Sequence, residues 1–185
     1  MGKYSARNDE GKHRIAGDEP DAIALLKRDH HRFRTLFDTA RDAEGDALVA
    51  VARELCMRLD VHMTIEEELL YPALKPAVGA DEVDEGIVEH DAGKKLMIEI
   101  ENLDGTEELY AAKVHVLGEQ TIHHIDEEDE ELFEDAREAH AAGKVDLDAL
   151  GQTMRDRQTE LYRAIEAAGD AGETREAIAE EIPSA

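Results

Sequence analysis

One four-residue interval, used twice, limits what this chain can become more than any other feature. His62 and Glu66 stand in VHMTIEEELLYP, and His124 and Glu128 stand in HHIDEEDEELF. On a helix, residues four apart share a face one turn above each other, so each pair aims an imidazole and a carboxylate at one point. That is metal-ligand spacing. Aligning the two stretches on their histidines also brings Leu70 onto Leu132 and Tyr71 onto Phe133, which reads as a weak internal repeat.

The flanking sequence predicts helices. An acidic cap candidate and an early proline, Asp18 to Pro20, start a first helix with the apolar row Ile23, Leu26, Phe33 and Phe37, and His30 falls in the gap of that row. Gly45 is the expected stop and Asp46 the next cap. A second helix then runs from about Ala47 to the Pro72–Pro76 region, with Val51, Leu55, Leu59, His62, Glu66 and Leu69 on one face. After Gly79 a third runs from about Asp81 to Leu103, with Val83, Ile87, His90, Met97 and Ile100 in line. Gly105 and Thr106 mark a stop and a new cap, and the fourth helix carries Tyr110, Val114, Leu117, His124, Glu128 and Leu132 inward. Each of the four apolar stripes is interrupted by one histidine.

The expected fold is all-α, an up-down-up-down four-helix bundle with an additional C-terminal helix. Residues 1–17, including His13, read as a flexible tail, 18–142 as the bundle, and 143–185 as a helix and tail. Leu147, Leu150, Met154, Leu161 and Ile165 give the fifth helix a narrow stripe that can pack on the bundle or pair with a second copy in a homo-oligomer. The final DAGETREAIAEEIPSA reads as a short helical pattern that frays.

In an antiparallel bundle, ligands at one height lie at similar distances from the connecting turn. From His30 and from His62 to the turn near Gly45 the helical rise is roughly 21 and 24 Å, and the later pairs agree to within about a turn. All four histidines can therefore share one layer. A lone histidine on an apolar face is ordinarily a hydrogen-bonded core residue, and a glutamate near a helix end is ordinarily solvated. Four histidines at one level with two carboxylates a turn away are a different matter, because an ionised glutamate in an apolar core costs several kcal/mol unless a cation accompanies it. His30, His62, Glu66, His90, His124 and Glu128 are the expected metal ligands. His31 and His123, turned by about 100° from the inner rows, are expected on the surface.

With 46 acidic and 21 basic residues the net charge is -25, which argues against nucleic acid and anionic membrane surfaces as partners. No apolar run reaches membrane-spanning length, the N-terminus lacks the apolar stretch of a signal peptide, and the single cysteine, Cys56, permits no internal disulfide. A cytoplasmic location is expected. Cys56 reads as a small buried residue, since no basic neighbour lowers its pKa. The run EEDEE reads as a solvated face from which only Glu128 turns inward.

The stretches KRDHHRF, VHMTIEEELLYPAL, VEHD and HHIDEEDEELF, in that order over about residues 20–140, resemble the hemerythrin-like proteins with an HHE cation-binding domain. The resemblance implies two non-haem irons in the bundle core, joined by two carboxylates and an oxo or hydroxo group. It makes His30, His62, His90 and His124 terminal ligands and Glu66 and Glu128 bridging ones. On that count about ten of the twelve positions of two octahedral irons are filled and about two stay open. Oxygen carriers of this kind bear a second histidine four residues after the first on the third helix, and here that position is Lys94. The implied site is more open than an oxygen carrier's.

The resemblance leads to a diiron protein that binds dioxygen, peroxide or nitric oxide, with catalase- or peroxidase-type turnover and an unidentified electron donor. The alternative is an oxygen, nitric oxide or iron sensor or carrier without turnover. A ferritin-like iron-oxidising protein is disfavoured, since His-x-x-x-Glu stands where Glu-x-x-His is expected. Zinc or a mixed pair is the alternative metal content, although six converging ligands favour a dinuclear site over a four-coordinate structural zinc. Tyr71 and Tyr110 either reach the inner face to donate to a bound ligand or serve as ordinary core aromatics.

Overall fold

A computed structural model of the chain describes residues 20–171. The expected N-terminal tail, residues 1–17 with His13, and the end of the C-terminal tail lie outside them. The described residues are helical with short connections and no strand. Helix α1 (Ala22–Asp42) starts where the Asp21 carboxylate accepts the Ala24 N–H at 2.9 Å. Helix α2 (Gly45–Ile65), the π turn π1 (Glu66–Leu70) and α3 (Tyr71–Val78) make one rod, and α4 (Asp81–Glu101) returns beside it. A second rod consists of α5 (Tyr110–Glu127), π2 (Glu128–Leu132) and α6 (Phe133–Ala141). Helix α7 (Leu147–Ala171) completes the chain.

In the bundle α1 packs against α2 and α5, and α4 packs against α2 and α5, giving an up-down-up-down square. Its apolar interior is two clusters. One, around Phe33, Leu55, Leu59, Met97 and Leu117, fills the end near the α1–α2 turn. The other, around Leu26, Ile65, Tyr71, Leu74 and Phe133, fills the opposite end and continues under α7. Between them lies a polar layer.

Three expectations shift, each for a local reason. The second-helix row was expected to continue through Leu69, but the π turn adds a residue to the turn, so Leu70 and Tyr71 are buried and Leu69 only partly so. The same insertion buries Leu132 with Phe133. On α4, Ile87 was expected inward and is 37% exposed. The inner position belongs to Gly86, because Tyr71 crosses the bundle there: a Cβ on Gly86 would lie 2.9 Å from the tyrosine oxygen. Thr106 does not cap a helix. Its N–H and hydroxyl bind the Asp104 carboxylate at 2.9 and 2.6 Å, which closes the loop, and α5 begins four residues later.

The fifth helix lies on α1, α2 and π1. Gly151 permits the approach, since a Cβ there would stand 2.6 Å from the backbone at Asp21 and Ala22. Arg157, nearly buried, grips Glu68 of π1 with a two-pronged contact at 2.8 and 3.0 Å. Among the described residues no helix is long and apolar enough to cross a membrane.

Candidate metal centre

The polar layer contains the six residues singled out from the sequence. His30, His62, Glu66, His90, His124 and Glu128 are all at most 5% exposed. His31 is exposed and His123 is 68% exposed, both outside the layer. The donors gather at two poles. His30, His62, Glu66 and Glu128 each offer an atom within 4.8 Å of the others, and so do Glu66, His90 and His124. Each glutamate faces both poles. Glu66 puts Oε1 3.2 Å from His62 Nε2 and Oε2 3.5 Å from His90 Nε2, while Glu128 Oε2 lies 3.4 Å from His30 Nε2 and 3.6 Å from His124 Nε2.

Behind the ring nitrogens that face inward stand four carboxylates, of which the sequence analysis considered only Asp129, as part of a solvated face. Asp129 meets His30 Nδ1 at 3.2 Å, Glu67 meets His90 Nδ1 at 2.9 Å, and Glu89 meets His124 Nδ1 at 2.8 Å. Asp29 stands 3.8 Å from His62 Nδ1. A carboxylate behind Nδ1 holds the proton there and turns the Nε2 lone pair inward. These carboxylates are anchored in turn: Glu67 by Lys94 at 2.6 Å on both oxygens, Asp129 by Arg34 at 3.3 Å, and Asp29 by Gln158 of α7 at 2.8 Å. Thus EEDEE supplies two residues of this layer, Glu128 and Asp129, and α7 reaches it through Gln158. The signal was adjacency, since each of the four is the immediate neighbour of a predicted ligand.

Electrostatics sharpen the picture. Burial pushes Glu66 well up from the ordinary carboxylate range, and the Glu128 charge adds to it. Burial pushes Glu128 the same way but is outweighed by His124 and His30, which hold it low. The two carboxylates thus divide into one neutral and one ionised group, as close like charges must. Burial lowers His62 to about 4 and also lowers His90. His30 is raised despite its burial, by its hydrogen bonds to Asp129 and Glu128.

Whether these residues fit a metal can be judged from their unsatisfied atoms. Both oxygens of Glu66, one of Glu128, Nε2 of His30 and both ring nitrogens of His62 are buried without a hydrogen-bond partner. Native interiors leave only a few such atoms per hundred residues, and here six gather in one layer. At the other pole His90 Nε2 faces His124 Nε2 at 3.0 Å, with both Nδ1 atoms committed to carboxylates. Two lone pairs meeting head-on in neutral rings repel, and a cation between them removes the conflict. The donor set fits metal cations. Tyr71 also belongs here: burial and the nearby glutamates hold its phenol protonated, and it donates to Glu128 Oε1 at 2.9 Å. Tyr110 packs in the far apolar cluster instead.

Comparison with known proteins agrees with this chemistry. The family model for the hemerythrin HHE cation binding domain matches residues 21–136. The chain belongs to that family. A crystal structure of a hemerythrin HHE cation binding domain-containing protein from Mycobacterium kansasii shares the fold, with a TM-score of 0.69 at 23% identity over 88% of this chain and 99% of that one. No curated protein matches the chain. The matched span covers the six inward donors and the four carboxylates behind them, whereas Arg157 and Gln158 lie beyond its end.

Proposed function

We propose that this HHE-domain chain is a non-haem diiron protein that binds dioxygen, peroxide or nitric oxide and turns over peroxide. His30 and His62 would hold one iron and His90 and His124 the other, with Glu66 and Glu128 between them. A pair of irons supplies one-electron redox steps and positions open to small ligands. The observation that supports the reading is the pair of buried donor clusters with glutamates facing both, orphaned atoms at the first and two imidazole Nε2 atoms meeting at the second.

The openness of the second pole favours ligand binding over a closed structural site. Lys94, at the position of an oxygen carrier's additional histidine, turns its ammonium to Glu67 and leaves that side without a further donor. A cavity of about 170 Å³ adjoins His90 and His124, floored by Met63 and Gly93 and edged by Thr121, large enough for a diatomic molecule or peroxide. Tyr71 holds a proton 2.9 Å from Glu128 Oε1 and 3.4 Å from His90 Nε2, where a ligand arriving at the second pole can receive it. On this reading the protein is cytoplasmic and draws electrons from an unidentified donor, and its net charge of -25 disfavours nucleic acid and anionic membranes as partners.

Metal content and the visible spectrum of aerobically purified protein, followed through addition of hydrogen peroxide with oxygen release recorded, test the reading. Two irons per chain with sustained oxygen evolution are expected. Two irons with a spectral response but no turnover would favour a carrier or sensor, and zinc alone or at most one tightly bound metal would refute the diiron reading.

A further inference from the structure

The buried centre has an acidic way in. A cleft of about 60 Å³ opens in the seam between α4 and α5 at Gly86, with Glu82, Glu85, Glu89, Glu127 and Glu131 around its mouth. Its floor is Glu128 and His124, and among the described residues no lysine or arginine lines it. Glu128 is 4% exposed, and its Oε2 has no hydrogen-bond partner, so an unsatisfied buried acceptor stands at the bottom of a negatively charged funnel. Burial and the negative neighbours Asp135, Glu131 and Asp81 push the Glu82 carboxyl upward, which marks the mouth as short of positive charge.

At the rim stands a second set of donors. Glu89, His123 and Glu127 each offer an atom within 4.8 Å of the others, and His123 Nε2 lies 3.3 Å from Glu127 Oε1. His123 and Glu127 follow the His-x-x-x-Glu spacing of the buried pair His124 and Glu128, one residue back, so the same helical turn presents one imidazole–carboxylate pair to the core and another to solvent. Glu89 joins the two levels, because it also accepts the His124 Nδ1–H at 2.8 Å. One imidazole and two carboxylates suit a borderline divalent cation, and three donors on a partly exposed rim hold it loosely.

We propose that Glu89, His123 and Glu127 form a third, exchangeable divalent-cation site that receives ferrous iron from solvent and passes it to the His124–Glu128 side of the buried centre. The inference rests on the dinuclear reading of that centre. The transfer is ligand exchange: the cation gives up water and His123, gains Glu128 and the inward Nε2 of His124, and then releases Glu127 and Glu89, with no change in oxidation state.

The full metal-free chain, titrated with Co²⁺ as a coloured substitute for ferrous iron, tests the proposal. The double variant His123→Asn with Glu127→Gln leaves all six buried donors and Glu89 in place, and Glu130→Gln on the exposed face of π2 serves as a control for the loss of one negative charge. Equilibrium dialysis is expected to show two tight cobalt ions and one weak ion for wild type, and the two tight ions alone for the double variant. In stopped flow at low cobalt, the double variant is expected to fill the buried site about tenfold more slowly, a factor typical of lost charge guidance and staging. Glu130→Gln is expected to change little. Unchanged uptake in the double variant, retention of the weak ion, or equal slowing by Glu130→Gln would overturn the third site while leaving two tight ions intact. A wild type that binds no tight pair would overturn the dinuclear reading itself.

Discussion

Replacing Glu66 by methionine is expected to stabilise the metal-free protein and to abolish its stabilisation by metal. Glu66 is 0% exposed, and neither of its oxygens has a hydrogen-bond partner. A buried, unsatisfied polar group costs roughly 1–3 kcal/mol, so two on one carboxyl leave about 2–4 kcal/mol to be recovered by an apolar side chain of similar length. For a chain of this size that corresponds to a rise of about 5–15 °C in the melting temperature of the metal-free form. Glutamine keeps the shape but leaves a buried amide to satisfy, so Glu66→Gln should fall between the two.

The pH dependence provides a second reading of the same effect. Glu66 has a folded-state pKa well above the ordinary value, first from burial and then from the Glu128 charge. Over the interval between the unfolded and folded values the native state keeps a proton that the unfolded chain has released, so stability falls as pH rises through it. Glu128, held low, works in the opposite sense: its contribution is present above the ordinary carboxylate range and lost in acid, in wild type and variant alike. The gap between Glu66→Met and wild type should therefore widen as pH rises above the ordinary carboxylate range in the metal-free state. Calorimetric melts of chelator-stripped and metal-loaded proteins measure both effects. If stripped Glu66→Met melts below stripped wild type, the glutamate is not an uncompensated polar group, and the argument from orphaned donors to a metal fails with it.

Three further outcomes follow from the residues around the centre. Glu67→Ala removes the carboxylate behind His90 and leaves the Lys94 ammonium facing the ring, so metal affinity measured by chelator competition should fall by roughly 10–100-fold. Arg157→Ala breaks the fork to Glu68 and should cost about 1–3 kcal/mol in urea unfolding, whereas Gln158→Leu should weaken metal affinity with a much smaller loss of stability.

Much of the fold was legible because the apolar rows of α1 and α5 keep helical period around the single histidine in each. Ile23, Leu26, Phe33 and Phe37, and likewise Tyr110, Val114 and Leu117, are buried as their spacing requires. The π turns were not legible. Their only trace is a doubled apolar pair, Leu70–Tyr71 and Leu132–Phe133, where a regular helix would bury one residue and expose the next. The inward glycine of α4 was hidden for a related reason: periodicity weighs what a side chain is, and Gly86 matters for the space it leaves to Tyr71, which comes from another helix. The six inward donors showed because each breaks an apolar row. The carboxylates behind them did not, because in a chain with 46 acidic residues an aspartate or glutamate beside a ligand looks like any solvated neighbour.

Those carboxylates nevertheless obey a rule that the topology explains. Asp29 of α1 faces His62 of α2, Glu67 of π1 faces His90 of α4, Glu89 of α4 faces His124 of α5, and Asp129 of π2 faces His30 of α1. The four contacts run once around the square and close. On α1 and α4 the carboxylate precedes the ligand by one residue, and on the two rods that run the other way it follows by one. A step of one residue turns a side chain by about 100°, out of the core and toward the seam with a neighbouring helix. Reversing the chain direction reverses that turn, so a backward step on an ascending helix and a forward step on a descending one point the same way around the bundle. The alternation from DH and EH to EE and ED is thus the imprint of up-down-up-down topology on the sequence. It also ties each helix to the histidine of the next, so a displacement of any one of them moves its own ligand and the support of its neighbour's together.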